Sequence, residues 1–165
     1  MTQLPIIYLA FLFLSFSSIA QESVYAPHVD LETTHLEDWE NYVTTPDFTI
    51  EYRLENCDTN ALSNQAIVLF KITNLSDQSQ TISWSKELWR NGACSNCHDI
   101  DSPEGAFSVT ILPHESIEGD CSSKDNKALY IFRNFIELTP GMSKQTLTGF
   151  RLVSLKITNE AATNE

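Results

Sequence analysis

Basic residues are scarce in this chain: 10 Lys and Arg face 22 Asp and Glu, for a formal net charge of -12. An acidic surface of that size repels phosphate backbones and anionic headgroups, which excludes nucleic acid as a partner class. Beyond the first twenty residues there is no long helical pattern, which argues against helix bundles and α/β folds. No Gly-x-Ser-x-Gly elbow is present to position a serine nucleophile. No Asp-x-Asp-x-Asp-Gly loop is present to hold calcium. Basic residues are missing even from the amino terminus, whose only positive charge is the terminal amine.

What the first twenty residues do contain is an apolar run, MTQLPIIYLAFLFLSFSSIA, with no charged side chain. It closes on Ser18-Ile19-Ala20, which puts small residues at the −3 and −1 positions before Gln21. Residues 1–20 therefore read as a secretory signal peptide cleaved after Ala20. The run is shorter than the ~20 residues a spanning helix needs. No cysteine follows it, so a lipid anchor is not expected. The mature chain keeps the whole negative charge, and it is expected to be secreted or periplasmic, with no membrane insertion after cleavage. An even number of cysteines, Cys57, Cys94, Cys97 and Cys121, enters that oxidising space, which implies disulfides before metal.

Residues 21–46 form an acidic lead-in. Thr34-His35-Leu36-Glu37 fits a capping box, and Leu36, Trp39, Tyr42 and Val43 recur at helical spacing, so a short helix is expected there. From Asp47 the period changes to two. Seven segments then carry strand patterns: 47–54, 66–73, 81–84, 107–112, a short one around Ile117, 128–138 and 147–158. Residues 128–138, the most continuously apolar of these, are expected to form a central strand. The domain at 47–158 is thus expected to be all-β, a single immunoglobulin-like antiparallel β-sandwich of about seven strands, followed by a polar tail at 159–165. The antibody-type Cys–Trp–Cys core is absent, because no strand flanking Trp84 carries a cysteine.

If consecutive strands simply alternate in direction, all four cysteines reach one pole of the sandwich, and Met142 and His114 fall at the other. Three disulfide pairings are open there. One is Cys94–Cys97 with Cys57–Cys121, and the other two tie residues 90–104 to both neighbouring loops. The segment Cys94-Ser95-Asn96-Cys97-His98 also spells C-x-x-C-H, and over those five residues it resembles the haem-attachment motif of c-type cytochromes. That resemblance implies thioethers to Cys94 and Cys97 with His98 as proximal ligand. Zinc is the other cofactor alternative, on Cys94, Cys97 and His98. The residues around the motif (Asn91, Gly92, Ser95, Asn96, Asp99, Asp101) are polar and would leave a haem wet, so no cofactor is the first expectation.

No catalytic residue is expected. The presumed working surface is the disulfide-pinned loop pole, with Trp89, His98, Asp99 and Asp101 as candidate contact residues, because loops on a rigid sandwich carry function. The expected role is binding or structural, with a protein or glycan partner. A sugar platform would need Trp89, Trp39 and Tyr42 exposed together. Asn74-Leu75-Ser76 is an N-glycosylation sequon, or else a turn.

Overall fold

The computed structural model describes residues 23–32, 38–58, 63–98, 105–122 and 124–159. The signal segment, the capping box at 34–37, Asp99, Asp101 and the tail from residue 160 lie outside the described residues. Eleven strands run through it: β1 Ser23–Val24, β2 Val29–Asp30, β3 Glu40–Thr44, β4 Phe48–Cys57, β5 Gln65–Asn74, β6 Gln80–Arg90, β7 Ala93–Cys94, β8 Ala106–Ile111, β9 Ser116–Glu118, β10 Tyr130–Phe135 and β11 Leu147–Asn159. Each of the seven period-two segments became a strand. The other four are β1, β2, β3 and β7, each of five residues or fewer.

The strands form two antiparallel sheets packed face to face. In the first, β11 and β6 lie at the centre; β1 and β2 share the outer edge of β11, and β7 and β8 share that of β6. In the second, the order is β3-β4-β5, with β9 and β10 sharing the outer edge of β5. Alternation fills the space between them: Phe48, Ile50 and Tyr52 of β4 and Val68, Phe70 and Ile72 of β5 meet Ile82, Trp84, Phe150 and Leu152. The Phe150 ring is the hub, with the rings of Tyr42, Tyr52 and Phe70 each 5.4 Å away. Burying each such ring is worth about 1.5–3 kcal/mol.

Three expectations are corrected. Trp39, Tyr42 and Val43 belong to no helix: residues Glu40–Thr44 are β3, paired with β4. Residues 23–32 likewise pair with β11, so the lead-in is built into both sheets. β10 is an edge strand, paired only with β5. Strand direction also fails to alternate once. β9 and β10 both run antiparallel to β5, so no reversal separates them. The turn from β10 to β11 therefore lies at the end of the sandwich where β4, β6 and β10 finish, here called the upper pole. Met142 sits there, while His114 is at the lower pole, held 2.8 Å from Asp77.

Each outer edge made of two short strands leaves a gap, and each gap is closed. On β11, between the residues paired with β2 and β1, Leu152 N–H donates to the Tyr42 hydroxyl at 2.9 Å, and that hydroxyl donates to Pro27 C=O. Burial pushes the Tyr42 phenol well above its ordinary range. On β6, between β8 and β7, the Asn96 side chain takes the place of a strand: it accepts from Leu88 N–H at 2.8 Å and donates to Lys86 C=O at 2.6 Å. On β5, Gly119 N–H donates to Phe70 C=O at 2.9 Å. Gly119 is required there because a Cβ would collide with the Leu129 carbonyl.

The Cys57–Cys121 disulfide crosses β5 on the outer face of the second sheet. Cys57 ends β4 on one side of β5, and Cys121 follows β9 on the other. Beneath it Ile67 and Leu69 are fully buried, flanked by Trp39 and Tyr130, a small second core outside the main one. The Arg53 guanidinium caps it, 4.7 Å from the Trp39 ring centre.

Candidate functional site

At the upper pole three connections meet. The first is the β6–β7 hairpin, whose Asn91 (φ 50°) and Gly92 (φ 81°) take the left-handed conformations a two-residue hairpin needs. The second, 136–146, joins β10 to β11. The third enters β5 through Asn64. Asn91 N–H donates to Thr146 C=O at 2.9 Å, and Thr146 N–H returns a bond to the Asn91 side-chain oxygen at 3.1 Å. Asn64 does the same with residue 137: its amide donates to Glu137 C=O at 2.9 Å and accepts from Glu137 N–H at 2.7 Å. The loops are therefore preorganised against one another.

The Cys94–Ser95–Asn96–Cys97 segment belongs to this pole as a staple. Cys94 and Cys97 are bonded to each other, which selects the first of the three pairings, with Cys57–Cys121 as the second bridge. The tight loop presents Ser95 and Asn96 to β6: Ser95 N–H donates to Leu88 C=O at 2.8 Å, and Asn96 fills the edge gap. The sulfurs that a haem thioether or a zinc thiolate would use are thus engaged with each other, and His98 is an exposed ring beyond them. Among the described residues no group of three or more His, Cys, Asp or Glu is placed to hold a metal.

Two concave features open at this pole. One, of about 390 Å³, is lined by Phe132, Phe135, Leu138 and Met142, with Lys144 the single charged residue on its wall. Phe135, Ile136, Leu138 and Met142 are all more than a third exposed, a concentration of apolar surface that an acidic protein otherwise avoids. The second, of about 180 Å³, lies on the outer face of the first sheet between Trp89 and residues His28, Asp30 and Glu32. There the His28 ring meets Trp89 edge-on at 4.3 Å. The ring passes over Gly149, where a Cβ would approach it to 2.7 Å. Trp89 is half-buried.

The other tryptophans are elsewhere. Trp84 is in the core, Trp39 is on the outer face of the second sheet, and Tyr42 is buried, so the three-residue sugar platform does not assemble. The sequon asparagine is buried as well: the Asn74 amide reaches the carbonyls of Gln78, Ile111 and Leu112, and its oxygen accepts from Ser76. It organises a turn. Sequence reasoning missed the His28–Glu32 wall, although His28-Val29-Asp30-Leu31-Glu32 alternates polar with apolar. It also missed that Lys86 shares the inward face of β6 with Trp84.

No known protein family matches the chain, and no curated protein does. A solved structure similar to it is the trimeric lipoprotein SadB of Salmonella enterica, at 11% identity and a TM-score of 0.31. The similarity covers 84% of this chain and 60% of that one, so the chain spans less than two thirds of the SadB chain. At that distance the likeness carries no argument about function.

Proposed function

We propose that the chain is an extracytoplasmic, non-enzymatic β-sandwich module that binds a protein partner through its upper pole. The observation that carries this reading is the set of apolar side chains Phe135, Ile136, Leu138 and Met142, held outward on loops that paired hydrogen bonds fasten together. Rigid loops bind without a large ordering cost, and exposed apolar surface gains most from being covered. Two disulfides suit an oxidising compartment. The strong negative charge keeps the rest of the surface soluble.

The test is site-specific photocrosslinking in the producing cells. A photoreactive phenylalanine analogue at Leu138 is expected to give one discrete protein adduct. The same analogue at exposed Ser154, on β11, is expected to give none. A Leu138 probe that yields no adduct, or the same adducts as Ser154, rules the reading out.

A further inference from the structure

We propose that the cleft between Trp89 and His28 is a receptor for one cationic side chain, a lysine ammonium or an arginine guanidinium, presented by a protein. Its wall is an indole, its rim carries the carboxylates of Asp30 and Glu32, and no Lys or Arg lines it. At about 180 Å³ it admits a single long side chain and no larger element.

The cleft is built by the fold. Leu31 is fully buried, and its N–H donates to Thr148 C=O at 2.9 Å, which anchors the segment on β11. Its neighbours Asp30 and Glu32 are therefore both turned to the exposed side, and Glu32 N–H donates to the Asp30 carboxylate at 2.9 Å. The floor is set by Thr148, whose hydroxyl accepts from Gly92 N–H at 3.0 Å and lies within 3.4 Å of Trp89 C=O. Gly149 lets the His28 ring lie flat enough to hold the indole. Gly149 is thus conserved in purpose by geometry alone: any side chain would displace the ring that forms one wall.

This chemistry selects a cation. An indole face attracts an ammonium or guanidinium through its quadrupole and covers the methylene stem, while the carboxylates supply charge-assisted hydrogen bonds. A neutral group would leave both carboxylates partly desolvated without a counter-charge, and an anion would be repelled. The acidic surface adds long-range attraction in the same sense. The cleft stands independently of the apolar rim at Phe135–Met142, so either can fail alone.

The probes are n-butylguanidinium and its neutral isostere n-butylurea, titrated into the intact mature protein while the Trp89 indole N–H is followed by NMR, with the peak assigned from Trp89→Phe. The guanidinium is expected to shift that peak saturably, and the urea to bind at least tenfold more weakly. The double variant Asp30→Asn, Glu32→Gln should keep a folded spectrum and lose guanidinium affinity at least tenfold. Glu55→Gln, which removes one negative charge on the opposite sheet, should bind as the unaltered protein does. Equal binding of the two probes, a shift that does not saturate, or equal losses in the two carboxylate variants would each overturn the proposal.

Discussion

The Lys86 ammonium lies in the core and donates to the Tyr130 carbonyl at 2.9 Å, across the gap between the two sheets. A second bond runs to Lys127 C=O at 2.6 Å, and the Phe107 ring lies 4.1 Å away. Four residues on, Arg90 repeats the arrangement with Phe132 C=O at 3.2 Å. Two cations from β6 thus occupy carbonyls of the β10 region, on a side of the sandwich that no ladder closes. Burial holds the Lys86 amine down to about 7.

That shift makes stability depend on pH with a definite sign. The folded chain releases the Lys86 proton near 7, while the unfolded chain holds it to the ordinary 10.5, so the unfolded state binds more protons between those limits. The Lys86 contribution is complete above 10.5, declines as pH falls, and is fully lost below about 7. Lys86→Met removes the effect. At pH 9 the variant is expected to be less stable by about 1–3 kcal/mol, because two buried carbonyls lose their donor. The deficit should shrink as pH approaches 6. Urea unfolding of both proteins across that range checks it, and parallel curves would be contrary.

The two disulfides should differ in worth. Cys57–Cys121 spans a sequence separation of 64, and Cys94–Cys97 one of 3. Loop-closure entropy assigns roughly 4 kcal/mol to the first and roughly 2 to the second. Denaturant midpoints of Cys57→Ser/Cys121→Ser and Cys94→Ser/Cys97→Ser give the comparison directly.

Asn96 acts as a strand surrogate, so its loss should resemble the loss of a ladder rung. Asn96→Ala is expected to cost about 1–3 kcal/mol. Asn96→Asp should cost as much, because a carboxylate oxygen would face Lys86 C=O where an amide donor now sits. Hydrogen exchange at the Leu88 amide, bonded to Asn96, should accelerate in Asn96→Ala while the Ile82 amide does not.

Asn74 should carry no glycan in the folded protein, even from a glycosylating host, because its amide is buried against three carbonyls. Intact mass settles that point. Asn74→Ala is expected to cost about 1–3 kcal/mol through the orphaned carbonyls.

The strands with several turns of alternation were legible in the sequence, because a pleat with one face buried forces period two. The short ones were not. β3 carries Trp39-side spacing that suits a helix and a strand equally, and only the pairing of Glu40 with Tyr52 decides it. β10 reads as central because Tyr130, Ile131 and Phe132 are apolar, yet its open side is covered by side chains from β6 rather than by a strand. The position of Met142 was lost with the same strand, since β9 and β10 share one direction and simple alternation miscounts them. The cysteine staple was visible as a possibility, but its pairing rests on where Cys121 crosses β5.

The thirteen-residue β11 is the last strand of the chain, and it joins β6 to both β1 and β2. Until it is made, β6 lacks its main neighbour and the amino-terminal strands have nothing to pair with. A ribosome-bound or partly translocated chain therefore has only the second sheet to assemble, with its inner face bare. Completion waits for the carboxyl end, which leaves the polypeptide threadable through a narrow channel for most of its synthesis.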